Sequence, residues 1–232
     1  MNSIKIQRIV LFVGIIVLCF VFLFYSKTNA QTNDANIILT WSAKNFYPVD
    51  FIGKPLPTHG TRVFVSLEVV RDGKPTDITS SPISWYVDGD FIESTVGEKT
   101  FSFFAKKTST GGQIIRVKTQ NNNSPIESSI TIPVIQPETV VEVPYFSNIV
   151  SSGQEISLKA IPYFFNNSSL DQLLFIWQFG DTVKKIAGQN SLSLRIGKPL
   201  TLDQKKFFIK TSIQNQNNPL EYANKSTILT IQ

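Results

Sequence analysis

The chain has 232 residues, 42% hydrophobic and 17% charged, with 12 Gly and 12 Pro, which excludes disordered, collagenous and coiled-coil classes. Of the formal charge of +5, three positives (Lys5, Arg8, Lys27) lie in the first 30 residues, which hold no acid, so residues 31–232 carry 19 Lys+Arg against 17 Asp+Glu. That balance gives no basis for nucleic-acid binding. Cys19 is the only cysteine and His59 the only histidine. Disulfides, CxxC chemistry, a cysteine nucleophile outside the leader and a structural zinc site are therefore excluded.

Lys5 and Arg8 precede Ile9–Tyr25, 17 consecutive uncharged and mostly apolar residues. As a helix this run measures about 25 Å, the short end for a bilayer core of about 30 Å and long for the apolar core of a cleaved signal. The flanking charges predict a cytoplasmic N-terminus and export of everything after Tyr25. Residues 1–30 are expected to be a signal-anchor helix and the start of a stalk in a single-pass membrane protein. Thr28-Asn29-Ala30 leaves open cleavage after Ala30 and secretion. Leu18 before Cys19 argues against a lipoprotein signal, and the start of the run has no pilin-type Gly-Phe pair or Glu. Residues 26–35 are polar and read as a short stalk.

Beyond the stalk the pattern is period two. Val63, Val65, Leu67 and Val69 share one face; Ile83, Trp85 and Val87, then Phe175, Trp177 and Phe179, then Leu192, Leu194 and Ile196 repeat the alternation. Turn chemistry separates these runs at Asp72-Gly73, Asp88-Gly89-Asp90, Gly111-Gly112, Asn121–Pro125, Gly180-Asp181 and Asn215–Pro219. The prediction is all-β, as antiparallel sandwiches. Trp85 and Trp177 stand 92 residues apart, as do Lys118-Thr119 and Lys210-Thr211, and Ser66-Leu67 and Ser157-Leu158 stand 91 apart. These coincidences predict two copies of one module, 31–136 and 137–232, with the boundary near Pro137 and a short Pro-containing linker that holds them semi-rigidly end to end.

A Trp in the third strand of a sandwich of about 90 residues resembles immunoglobulin-like domains, where that ring fills the space between the sheets. Trp177-Gln178-Phe179-Gly180-Asp181 is also similar to the Trp-x-Phe-Gly-Asp core of PKD-type domains, across about residues 139–232. Thr182 stands where that motif continues with Gly, and the first copy reads Trp85-Tyr86-Val87-Asp88-Gly89-Asp90. The resemblance, to tandem bacterial Ig-like/PKD-like surface proteins, implies adhesion, spacing or partner binding outside the cell, with Trp85 and Trp177 as structural core and no catalysis.

Candidate sites are few. Asp88, Asp90 and Glu93 cluster at one turn and are the calcium candidates, against a plain hairpin turn with solvated acids. Asp181 reads more simply as hydrogen-bonded to its own turn. Tyr163, Phe164 and Phe165, beside Asn166-Asn167, are the ligand-binding candidates for a sugar-stacking platform, with Tyr86 and Tyr222 as further rings; the alternative is that these rings complete a core or an inter-module interface. His59, in Pro57-Thr58-His59-Gly60, would need a nucleophile and an acid from elsewhere, and neither Gly-x-Ser-x-Gly nor Ser-x-x-Lys occurs. Asn122, Asn166, Asn167 and Asn224 begin Asn-x-Ser sequons. Lys106-Lys107, Lys184-Lys185 and Lys205-Lys206 read as gatekeepers at sheet edges. The expectation is a non-enzymatic, membrane-anchored extracytoplasmic binding or structural protein, an envelope component or adhesin. It needs no cofactor, meets the membrane through its N-terminal helix and has a protein partner. The alternative is a carbohydrate-binding protein acting on wall or surface polysaccharide.

Overall fold

The computed structural model describes residues 35–121, 124–144, 148–198 and 205–232. The expected anchor Ile9–Tyr25 and the sequon Asn122 lie outside the described residues. Among the described residues there is no α-helix, and no helix long and apolar enough to cross a membrane.

Among the described residues, sixteen strands follow the period-two runs. In the first group, β1 (Asn36–Lys44), β2 (Arg62–Arg71), β3 (Lys74–Pro75) and β6 (Thr100–Phe104) form one sheet, with β2 between β1 on one side and β3 and β6 on the other. The facing sheet has the order β5-β4-β7-β8, from β4 (Pro82–Val87), β5 (Asp90–Val96), β7 (Gly112–Asn121) and β8 (Ser124–Pro133). The second group repeats this plan. One sheet is β14-β11-β9, from β9 (Glu138–Glu142), β11 (Glu155–Tyr163) and β14 (Ser191–Arg195). The other is β10-β16-β15-β12-β13, from β10 (Ile149–Val150), β12 (Leu173–Phe179), β13 (Thr182–Ala187), β15 (Lys206–Asn215) and β16 (Tyr222–Ile231). The short β10 runs parallel to β16 while the neighbouring ladders are antiparallel. Two facing sheets with a buried Trp on a central strand of one of them are the immunoglobulin-like plan, and the molecule carries it twice in tandem.

Alternation dictates this burial. On β2, Val63, Val65, Leu67 and Val69 are enclosed while their neighbours face water. Trp85 packs among them, stacked on Phe101 at 5.2 Å between centroids. Trp177 holds the same place among Leu158, Phe165, Phe175, Ile209 and Ile213. Both indoles are fully buried. Burial of such aromatic and aliphatic side chains contributes about 1.5–3 kcal/mol each relative to exposure. Two turns have the expected geometry: Asp72-Gly73 and Asp88-Gly89 both carry positive φ at each central residue (50° and 73°, 53° and 97°), the mirror-image turn that matches the strand twist.

One sequence expectation needs correction. The Lys-Thr pairs are not equivalent positions: Trp85 lies opposite Val117, whereas Trp177 lies opposite Thr211, and Thr119 is opposite Ile83. The path from Trp177 to its cross-strand partner is two residues longer than the corresponding path from Trp85, which shifts the ladder. Accordingly Thr119 donates from Oγ1 to the Pro82 carbonyl at 2.9 Å, while buried Thr211 finds no partner for its hydroxyl among the described residues. The lysine pairs also divide. Lys184-Lys185 lie within the edge strand β13, whereas Lys206 opens β15, a strand paired on both sides from Ile209 onward and only with β16 at Lys206 itself.

Candidate functional site

The residues joining the two sandwiches form the most elaborate site of the described chain. Between β1 and β2 the segment 45–61 leaves the first sandwich and crosses onto the second as a strap. The Phe46 N–H donates to the Phe165 carbonyl and the Phe164 N–H returns the bond to the Phe46 carbonyl, each at 2.7 Å. This is a one-residue antiparallel bridge between modules. Phe164 takes φ 65° there, a left-handed conformation that costs a bulky residue about 1–2 kcal/mol. Its contacts hold it: the ring meets Phe51 of the strap edge-on at 5.5 Å, and its carbonyl accepts from the Thr58 hydroxyl at 3.1 Å.

Behind the bridge lies a buried polar network. Glu221 is 6% exposed. Its Oε1 accepts the Asn166 backbone N–H at 2.7 Å and faces the Thr58 hydroxyl at 3.4 Å, and its Oε2 accepts the Asn215 amide at 2.6 Å. Thr58, Thr61 and Asn215 are each 1% exposed. The Thr61 hydroxyl reaches Asn166 Oδ1, and Asn166 Nδ2 donates to the His59 carbonyl at 2.8 Å. The Asn45 amide donates to the Leu56 carbonyl at 2.6 Å, closing the strap on itself. A carboxylate removed from water is tolerated only with such donors.

The network redefines several sequence candidates. Phe164 is 6% exposed and Phe165 fully buried; Tyr163 is half-buried and edge-on to Phe51 at 5.8 Å. These three rings build the joint and the second core, so they offer no flat platform for a sugar: the chain turns there to meet the strap. Tyr86 is half-buried beneath the Arg116 guanidinium at 4.5 Å and edge-on to Phe91. Tyr222 is 54% exposed at the start of β16.

The calcium candidates do not converge. Asp88 Oδ1 accepts the Ile114 N–H and its Oδ2 the Gln113 amide, both at 2.8 Å, so both oxygens already fasten the β4–β5 turn to β7. No group of three or more His, Cys, Asp or Glu residues suited to a metal occurs among the described residues. Asp181 forms, with Gly180, the two-residue turn between β12 and β13. His59 is exposed, and its Nδ1 faces the Lys107 N–H at 3.4 Å. No carboxylate or hydroxyl bonds that imidazole among the described residues.

Sequence reasoning overlooked the strap, Glu221 and Trp41. Trp41 lies half-buried on β1, with Lys54 of the strap 3.6 Å above its ring; desolvation there lowers the Lys54 pKa. Its signal was present, since Ile37, Leu39, Trp41 and Ala43 alternate. The strap flanks two clefts. One, of about 440 Å3, is mostly apolar and includes Phe46, Val49, Ile161 and Leu170. The other, of about 630 Å3, has walls from Lys44, Arg62 and Phe104 of the first sandwich and from Asn167, Gln172 and Asn217 of the second.

No family model matches the chain, and no curated protein matches it. Among solved structures it is similar to the three N-terminal domains of the Highly Immunogenic Outer Capsid protein (Hoc) of bacteriophage RB49, at 15% identity and a TM-score of 0.46, over 85% of this chain and 59% of that one. The chain thus spans less than two thirds of that phage structure. It is also similar to the fibronectin(III)-like modules of Clostridium thermocellum CbhA, at 11% identity and a TM-score of 0.30, over 84% and 94% of the two chains. A third likeness is the amphioxus IgVJ-C2 molecule, at 12% identity and a TM-score of 0.31, over 75% and 98%. The tandem Ig-like architecture itself stands on the strand order and the two buried Trp residues.

Proposed function

We propose that this chain is a non-enzymatic binding or structural protein displayed outside a cytoplasmic membrane, tethered by Ile9–Tyr25, in which two Ig-like sandwiches act as one rigid unit. The observation that carries this reading is the joint. A backbone bridge, the Thr58 hydroxyl bonded to the Phe164 carbonyl above a buried carboxylate held by two donors, and a ring cluster hold the modules together. A spacer, adhesin or envelope subunit needs its far end presented at a fixed angle, which such a joint supplies. Partner binding by strand addition has a suitable edge in β5. Phe91 (59%), Ile92 (48%) and Val96 (69%) stand exposed along it, with Asp90 and Glu93 as its only charges.

The test is in-cell cross-linking of the tagged full-length protein, followed by membrane isolation and mass spectrometry. The expected result is a stoichiometric protein partner recovered with an intact N-terminal peptide, and Ile92→Lys should abolish that cross-link. Recovery of a chain beginning at Gln31 without a protein partner would overturn both the anchor and the assembly role. Carbohydrate binding remains the second reading, because the larger cleft at the joint has lining suited to it.

A further inference from the structure

Lys44, Arg62 and Phe104 are register partners across β1, β2 and β6, so their side chains form one row on the outer face of that sheet. All three are exposed, Phe104 at 63%. The row ends at the joint, where Asn167, Gln172 and Asn217 face it across the cleft of about 630 Å3, a volume within the ordinary range of small-ligand sites. The lining contains two cations and no carboxylate. Neither Lys44 nor Arg62 is in a salt bridge among the described residues, whose ion pairs are Lys118–Glu127 and Lys159–Glu142. Arg62 bonds from Nη2 to Ser102 Oγ at 3.1 Å and its guanidinium lies 5.3 Å from the Phe64 ring centroid, and a guanidinium has further N–H donors to offer.

We infer that this cleft binds an acidic saccharide, an oligosaccharide whose sugar units carry carboxylate or phosphate. Each part of the lining has a matching task. Arg62 grips the anionic group in its planar fork, with Lys44 adding charge beside it. The exposed ring of Phe104 covers the apolar face of a pyranose, and the amides of Gln172 and Asn217 bond its hydroxyls. A neutral sugar would leave both cations without counter-charge. A nucleic acid would call for a broader basic surface than a domain with two excess positive charges provides. The site exists only while the joint holds the two walls together, since each wall belongs to a different sandwich. It rests on the binding reading above but is independent of any protein partner.

Calorimetric titration of the full-length protein in detergent tests the inference with four probes: a galacturonate hexamer, a maltohexaose phosphorylated on its 6-hydroxyls, maltohexaose and hexaglutamate. One of the two anionic hexamers is expected to bind at least tenfold more tightly than maltohexaose and hexaglutamate, and which one it is distinguishes carboxylate from phosphate. Arg62→Gln and Phe104→Ala should each weaken that binding tenfold or more with an unchanged melting temperature. Arg195→Gln, on the second sandwich, should leave it unchanged. Absence of binding, equal binding of maltohexaose or hexaglutamate, or indifference to Arg62→Gln would overturn the site. If these fail while a protein partner still cross-links, the proposed function survives and the saccharide site does not.

Discussion

Trp85 and Trp177 each bury a full indole whose Nε1 has no acceptor among the described residues. Two opposing terms therefore act at one side chain: a large gain from ring burial and a penalty of about 1–3 kcal/mol for a stranded donor. Truncation to Ala should cost about 3–5 kcal/mol through the cavity it leaves. Replacement by Phe, which removes the unpaired N–H along with part of the ring, should cost clearly less. Urea denaturation of the paired variants reads the difference; an equal loss for Phe and Ala would show that the stranded donor carries no penalty. Asp88 shows the same economy of roles. Its carboxylate is spent on Ile114 and Gln113, so added calcium should leave the melting temperature unchanged, and a clear upward shift would contradict this account. The turn residues and core Trp residues were readable in sequence because both are local signals: Asp-Gly sets its own φ, and Trp85 sits within its own alternating run. The fate of the Asp88 oxygens was not readable, since their donors lie on a strand about 25 residues later.

Edge strands and the strap show how far an element can be judged from its own residues. β13 and β5 occupy matching outer positions in their sheets. Lys184-Lys185 guard the first, while β5 offers Asp90 and Glu93 with exposed Phe91, Ile92 and Val96. Replacing Lys184 and Lys185 by Thr should increase self-association, as measured by analytical ultracentrifugation, because charge on an edge opposes strand pairing. An unchanged monomer would contradict the gatekeeper role. Strands were legible because alternation operates over a few residues. The strap was not, because its partners are remote: Thr58 meets Phe164 and Glu221, 106 and 163 residues along the chain. Within segment 45–61 neither a period of two nor a period of 3.6 appears, since its contacts are made one residue at a time. The aromatic run at 163–165 signalled an unusual place, but only the folded chain shows that these rings face inward to the joint.

Across the whole molecule, the joint decides whether two sandwiches behave as beads on a string or as one body. A short Pro-containing linker gives semi-rigid spacing, and tandem domains without a substantial interface still move relative to one another. Here the strap adds a backbone bridge, and Glu221 anchors donors from the second sandwich while facing Thr58 of the first. Glu221→Ala should strand the Asn166 N–H and cost about 1–3 kcal/mol. The most direct test is an inter-module distance distribution by pulsed electron resonance, with spin labels at Lys74→Cys and Lys185→Cys in a full-length Cys19→Ser background. A single narrow distance is expected, broadened by Glu221→Ala combined with Thr58→Val. A broad distribution in the otherwise unaltered protein would contradict the rigid two-module unit on which the functional reading rests.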